Sequence, residues 1–330
     1  MRMLVTGGAG FVGSNFVRRV LAGAYPGVDA SEVVVLDKLT YAGTLGSLER
    51  VMEDPRLRFV SGDICDTALL DEVMAGVSLV VHFAAETHVD RSIADGSEFL
   101  RSNVNGTFAL LDSALRAKVD KFVLVSTDEV YGTITSESWD EQGLLEPNSP
   151  YAATKGAADL IARAFYKTHG LAVCITRCCN NYGPYQFPEK LIPLFVTNLL
   201  DGETVPLYGD GSNVREWVHV DDHCAGIALV AQHGDPGRIY NIGSAVEMTN
   251  EQVTALVLKE LGHDWSMVRF VEDRKGHDHR YSLDHTRIRT ELGYRDQVPF
   301  RQGLADTVRW YVDNRSWWEP LKKRVGSTSA

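Results

Sequence analysis

Short apolar runs recur along the first half of the chain: Met3–Thr6, Val33–Leu36, Leu57–Ser61, Leu79–Phe83, Phe122–Ser126 and Ala172–Arg177. They are rich in Val, Leu and Phe and mostly lack the apolar-polar alternation of a half-exposed strand. Parallel strands buried on both faces have this pattern. Between them the chain carries stretches with helical character at Gly13–Ala22, Asp66–Met74, Ser97–Ala117 and Pro150–His169. Strand-helix repetition of this kind predicts an α/β fold with a doubly wound parallel sheet.

Past Arg177 the pattern becomes irregular. Asn180–Pro193 carries Pro184, Pro188 and Pro193 among aromatics and reads as loop. Trp217–Val220 reads as a short strand, and Asp221–Ala231, Thr249–Leu261 and Gly303–Asn314 as helices, with a charged stretch at Glu272–Arg280. We therefore expect a first domain over 1–178, rejoined by late elements near 217–243, and a smaller, irregular C-terminal substrate domain over 179–330. Val325–Ala330 is small and polar and reads as a disordered tail.

Composition changes the picture little. Of 330 residues 44% are hydrophobic and 23% charged, enough apolar material for a sizeable core. The net charge of −11 leaves no basic face for nucleic acid, so an anionic ligand must be held by a few local arginines or helix ends. No apolar run nears the ~20 residues of a membrane span, and the opening MRMLVTGGAG breaks into glycines too early for a signal peptide. The five cysteines, Cys65, Cys174, Cys178, Cys179 and Cys224, include no C-x-x-C pair. That argues against a disulfide framework and a zinc site, and for buried free thiols in a cytoplasmic protein. The histidines show no ligand spacing, and no metal is expected.

Candidate chemistry begins directly after the first strand. Gly7, Gly10 and Gly13 form G-x-x-G-x-x-G, followed by the amphipathic run Ser14–Ala22. Glycines there permit a tight turn and close approach to a pyrophosphate, and the next helix offers free N–H groups to it. The second strand ends in Asp37, 24 residues past Gly13. An acid at about that spacing hydrogen-bonds the adenosine ribose and repels a 2′-phosphate, which favours NAD over NADP. This is the arrangement of a Rossmann dinucleotide-binding sheet. Asp63 and Ala84-Ala85-Glu86 follow the third and fourth strands at the same carboxyl edge, where ligands bind such sheets.

Tyr151 and Lys155 stand four apart behind Ser149 and Pro150, a cap and a first helical residue. That spacing puts both on one helix face, and a neighbouring ammonium should lower the phenol's pKa towards use as a base. The fifth strand runs into Thr127, Asp128 and Glu129. Adjacent carboxylates repel, so one of them is expected to keep a proton near neutral pH. An acid beside a base is what elimination of water requires, although a solvated turn carries such a pair equally well.

These motifs are similar to the extended short-chain dehydrogenase/reductase superfamily, and within it resemble the dTDP-glucose 4,6-dehydratases. The resemblance rests on the glycine motif, Tyr151-x-x-x-Lys155, Ser126–Gly132, Phe83–Ser92, Asn180–Tyr185, Arg215–Val220 and Asp273–Asp278, in that family's motif order. It implies oxidation at sugar carbon 4, loss of water across carbons 5 and 6, and return of hydride to carbon 6. Tyr151, helped by Lys155 and Thr127, would serve the oxidation; Glu129 would be the base at carbon 5 and Asp128 the acid for the leaving hydroxyl. The resemblance further implies contacts to tightly bound NAD from Phe11, Val12, Asp37, Lys38, Leu39, Thr40, Asp63, Ile64, Phe83, Ala84, Ala85, Glu86, Thr87, Ser102 and Asn181, besides the glycines, Tyr151 and Lys155. For the sugar nucleotide it implies Thr87, Thr127, Asn180, Lys190, Leu191, Pro206, Tyr208, Arg215, Asn250, Arg274, His277 and Tyr281. Asn250 is also placed to cap the helix that follows.

A homodimer is implied as well, joined by a four-helix bundle from Ser97–Ala117 and Pro150–His169 of each chain. Phe108, Leu111, Leu115, Leu160, Ile161 and Phe165 support it, but could equally face the sheet. Two alternatives stay open: a UDP-sugar 4-epimerase or dehydratase of the same fold, and a non-catalytic NAD-binding sensor. The epimerases typically have uncharged residues where Asp128 and Glu129 stand. A sensor would be expected to lack Tyr151 or Lys155.

Overall fold

The computed structural model describes residues 1–327. Its strands are β1 (Arg2–Thr6), β2 (Glu32–Asp37), β3 (Leu57–Ser61), β4 (Leu79–His82), β5 (Lys121–Thr127), β6 (Val173–Cys178), β7 (Asn180–Tyr182), β8 (Val205–Tyr208), β9 (Val214–His219), β10 (Ile239–Ile242), β11 (Glu247–Thr249) and β12 (Val268–Val271). Seven form one parallel sheet in the order β10-β6-β5-β4-β1-β2-β3. The order reverses between β1 and β4, which opens a crevice at the carboxyl edge there.

The absence of alternation follows from burial on both faces in six of the seven strands; β3, expected to be buried as well, is the edge strand and is only partly covered. Met3, Val5, Val33, Val35, Val123 and Val125 pack on one side with helices Phe11–Leu21 and Val220–His233. Leu4, Val34, Leu36, Phe122 and Leu124 pack on the other with Thr67–Val73, Thr107–Arg116 and Pro150–His169. Most positions that would be polar on an exposed sheet are therefore apolar here, with Thr6, His82, Thr176, Arg177 and Asn241 as buried polar exceptions.

A second lobe has its own core around Phe195, Trp217, Val257, Tyr311 and Trp318. It holds β7, β9 and β11 in a three-stranded sheet and β8 with β12 in a pair. The chain enters this lobe after β6 and returns to the sheet through Val220–His233 and β10. It leaves again at β11, comes back through Thr286–Glu291 against β10, and ends in the lobe with Phe300–Asp313 and Arg315–Ser327.

Several sequence expectations are corrected. The first helix starts at Phe11, two residues before Gly13. Ser97–Ala117 is not one regular helix, because Leu100–Gly106 is wound as a π-helix between α-helical ends. Asn180–Pro193 is not all loop: it contains β7 and the start of helix Leu191–Leu200. Pro193 fits that helix because first-turn N–H groups have no intrahelical partner. The strand expected at Trp217–Val220 is β9, which starts at Val214 and lies outside the large sheet. Of the tail expected to be disordered, 325–327 continue a helix and 328–330 lie outside the described residues. Cys65 is half-buried, unlike the other four thiols. Among the described residues no helix is long and apolar enough to cross a membrane.

Candidate active site

The carboxyl edge of the sheet opens into a cleft walled on its far side by the second lobe. Gly7 turns the chain at φ +68°, and a side chain there would lie 2.5 Å from the Ala84 backbone nitrogen. A side chain at Gly13 would run into the Gly7 carbonyl. These two positions need glycine for close backbone approach, and with Gly10 they cradle the N-terminus of helix Phe11–Leu21. Asp37 is buried, and its carboxylate accepts from Ala9 N at 2.9 Å and Leu39 N at 2.8 Å. Burial raises its pKa, and those two bonds oppose the shift. Each carboxylate oxygen keeps further acceptor capacity towards the cleft.

Asp63 lies two residues past β3 and is held by Lys38 at 3.1 Å and Arg101 at 2.8 Å. Burial opposes ionisation there, but the Cys65 N–H and the two cations outweigh it and bring the carboxyl down to about 2. The cleft is lined by the glycines, Phe11, Val12, Asp37, Lys38, Thr40, Asp63, Ile64, Phe83–Thr87, Ser102, Thr127–Glu129, Tyr151, Lys155, Asn180, Asn181, Lys190 and Leu191. Leu39 turns away at φ +54° and contributes its backbone to Asp37.

Tyr151 sits in the first turn of helix Pro150–His169. Ser149 caps that helix by accepting from Ala152 N at 3.1 Å, and Gly170 closes it in the left-handed region. Lys155 donates to the Val125 carbonyl at 2.7 Å. Contrary to the sequence expectation, Tyr151's pKa is raised well above the ordinary value, first by burial and then by the charges of Glu129 and Cys178. Thr127, beside the phenol, pulls the other way. Lys155 is itself shifted down by burial, which Asp159 opposes from one turn further along the helix.

The two carboxyls differ. Asp128 is buried, hydrogen-bonded by Thr127 Oγ1 at 3.1 Å, and raised well above the usual range by burial, Glu129 and Glu216. Its Oδ2 is buried without a partner, as is Ser126 Oγ beside it. Glu129 is raised by burial, but Lys190, Arg215 and Arg274 all favour its charged form. Both carboxyls are thus raised, but cations offset the rise at Glu129, whereas at Asp128 the leading charged neighbours add to it.

The remaining substrate candidates do not line the cleft itself, and of these Arg215, Arg274 and Tyr281 adjoin Glu129. The Arg215 guanidinium lies 4.7 Å from the Tyr281 ring and donates to the Asp278 carbonyl at 2.9 Å. Arg274 lies 4.9 Å from the Tyr208 ring and pairs with Asp90 at 3.3 Å. His277 stands against Tyr208 and bonds Asp273 at 2.6 Å. Pro206 precedes Tyr208 on β8 by two residues, on the same face of the strand. Lys190 reaches the Thr87 carbonyl at 2.9 Å and so ties the lobe to the sheet edge. Asn250 does not cap its helix: Thr249 does, in a capping box with Gln252, and Asn250 Oδ1 is buried without a partner.

Three residues escaped the sequence reading. Asn103, in the π-helix, accepts from Glu86 N at 2.8 Å and donates to Glu86 O and Thr154 Oγ1, both at 3.0 Å. It pins the loop after β4. Arg177 and Asp159 form a fully buried ion pair at 2.8 Å behind Lys155. Only Arg177 left a sign in the sequence, a charge inside an otherwise apolar strand.

Comparison with known proteins shows the family of the chain. The family model for GDP-mannose 4,6 dehydratase matches residues 4–307. The chain is 56% identical over 330 residues to a dTDP-glucose 4,6-dehydratase of Streptomyces niveus, spanning 100% of this chain and 98% of that protein. It is 57% identical over 331 residues to another of that name from Streptomyces antibioticus, with the same coverage. The crystal structure of DesIV, a dTDP-glucose 4,6-dehydratase of Streptomyces venezuelae with NAD bound, superposes with a TM-score of 0.97. That similarity is at 66% identity and covers 97% of this chain and 100% of the other.

Proposed function

The chain belongs to the GDP-mannose 4,6 dehydratase family, and from that premise we propose that it dehydrates dTDP-glucose to dTDP-4-keto-6-deoxyglucose with NAD as its resident cofactor. The buried Asp128–Glu129 pair beside Tyr151 and Lys155 carries this reading. Removing water needs an acid and a base beyond those that serve the oxidation, and the site has both.

The glycine cradle, the helix end at Phe11–Val12 and the Asp37 carboxylate fit a dinucleotide without a 2′-phosphate. NAD, when bound, accepts the hydride of sugar carbon 4 and supplies the hydride that ends on carbon 6. Tyr151 takes the proton of the carbon-4 hydroxyl: burial and Glu129 oppose its phenolate, which Lys155 on the same helix face and the positive nicotinamide of NAD, when bound, would favour, with Thr127 beside it. The ketone so formed acidifies the carbon-5 proton. Glu129 removes that proton, because Lys190, Arg215 and Arg274 favour its carboxylate. Asp128, kept protonated by burial and by Glu129, protonates the carbon-6 hydroxyl as it leaves. Arg215 and Arg274 are the diphosphate partners, flanked by the Tyr208, His277 and Tyr281 rings, with Thr87, Asn180, Leu191, Pro206 and Asn250 completing the substrate set.

We divide the chain into an NAD-binding domain over 1–178, rejoined by late elements near 217–243, and a mainly substrate-binding domain over 179–330. The proposed assembly is a homodimer through a four-helix bundle of Ser97–Ala117 and Pro150–His169. Leu100, Phe108 and Leu160 support it, since these large apolar side chains on the two helices stay exposed, whereas Leu111 and Phe165 face the chain's own core. The proposed place of work is the cytoplasm, where the five cysteines remain thiols.

The test is incubation of the purified protein with dTDP-glucose and no added cofactor. Mass spectrometry should show loss of one water, and NMR a carbon-6 methyl beside a carbon-4 ketone. A parallel reaction with UDP-glucose reads the nucleotide preference. A product inverted at carbon 4, or a stoichiometric demand for added NAD, would overturn the reading.

A further inference from the structure

A regenerated cofactor must stay bound for longer than one turnover, so something has to oppose its escape from an open cleft. Three chain segments far apart in sequence meet at the cleft's rim. Thr40, Ala42 and Gly43, in the loop after β2, line one wall; Phe187 and Glu189, after β7, line the other. Tyr41 stands between them and does not itself line the cleft. Its ring meets the Phe187 ring edge-on, with centroids 5.5 Å apart. On its other side the Arg91 guanidinium stacks 3.8 Å from the Tyr41 centroid. Arg91 belongs to helix Val89–Ala94, just past the cleft-lining loop after β4.

Glu189 closes the group. Its carboxylate, 4% exposed, pairs with Arg91 at 3.4 Å and stands beside the Tyr41 phenol. Arg91 therefore neutralises a buried carboxylate and covers an aromatic ring at once, a use that suits its planar, weakly hydrated cation. Tyr41, Arg91 and Glu189 thus tie the segments after β2 and β4, on either side of β1, to the segment after β7. None of the three belongs to the oxidation or elimination chemistry.

We propose that Tyr41, Arg91, Glu189 and Phe187 form a strap that retains the dinucleotide, and that its opening limits cofactor exchange. The inference rests on the reading of NAD as the resident cofactor. Nucleotide passing between these walls must part the Tyr41–Phe187 contact, the two segments' only ring-to-ring contact among the described residues.

The experiment measures release of radiolabelled NAD from the loaded protein after dilution into excess unlabelled NAD, with no substrate present. Tyr41→Ala removes both ring contacts and should speed release by roughly tenfold or more. Tyr41→Phe keeps the ring and should release at close to the parental rate. Arg91→Gln leaves the rings in place but unpairs Glu189, and should fall between; it serves as the test if Tyr41→Ala does not fold. Parental release from both Tyr41→Ala and Arg91→Gln overturns the strap, even if their melting temperatures fall, because the contacts would then be structural only. If the parent itself retains no label, the cofactor reading has failed, which the parent sample alone reveals.

Discussion

Asp128 and Glu129 are neighbours in sequence, yet different groups face them. Glu129 has three cations and one carboxylate, Asp278, in view, whereas Asp128 has two carboxylates as its leading charged neighbours and one cation, Arg215. Replacing Glu129 by Gln keeps its shape and removes the base, while Tyr151 and Lys155 stay in place. Uptake of solvent deuterium at carbon 5, followed by NMR, should slow by about 10²–10⁴-fold. Asp128→Asn should slow loss of the hydroxyl while sparing carbon-5 exchange more. Wild-type dehydration by Glu129→Gln would mean that the elimination chemistry lies elsewhere. The side chains in this set were legible from sequence because each follows a strand end or a helix cap. The electrostatics were not. A Lys155 four residues away suggested a lowered phenol pKa, but burial and the facing carboxylates reverse the sign. Sequence spacing reports which groups share a helix face, not what the sheet brings up against that face.

At the scale of elements, the π-helix Leu100–Gly106 decides how the loop after β4 is held. Its wider turns bring Asn103 onto Glu86 and Thr154, and cleft-lining Ser102 precedes it. Asn103→Ala should cost about 1–3 kcal/mol, since it leaves buried partners unpaired. Urea denaturation reads that loss, and NAD titration should show weaker binding because the Ala84–Thr87 wall is loosened. Unchanged stability and affinity would remove Asn103 from any role in shaping the site. Nothing in the apolar spacing distinguishes such a turn from α-helix, so Ser97–Ala117 read as one element. Helix Pro150–His169, by contrast, is announced at both ends by Ser149, Pro150 and Gly170. The second lobe was poorly legible because β7 and β11 have three residues each and β12 four, too few for a period to show. Arg215, Arg274 and His277 could be picked out only through family resemblance.

For the whole molecule, acid should be a selective stress. His82 bridges Thr6 at 2.7 Å and Thr107 at 3.0 Å, and His223 bonds Asn181 at 2.8 Å. Burial pushes both imidazoles down to about 3, so each binds its proton more weakly folded than unfolded. Their stabilisation is complete above an unfolded pKa of about 6.5 and drains as pH falls from there towards 3. Each should contribute about 2 kcal/mol less at pH 5 than at pH 7. Urea midpoints at the two pH values measure the loss, and His82→Gln should flatten the slope by about one proton. A midpoint that does not move between pH 7 and 5 would contradict this account.

The chain passes between sheet and second lobe five times, after β6, β9, β10, β12 and helix Thr286–Glu291. Two bodies joined by one linker have a free axis to swing about; two bodies stitched by five covalent connections do not. Opening the cleft as a hinge would strain all five links together. Rigid-body motion is therefore a poor route for ligands, and traffic falls to single loops at the rim. The same stitching means that no one cut divides the cofactor half from the sugar half. Exchanging the lobe for one with another specificity would require rejoining the backbone at every crossing.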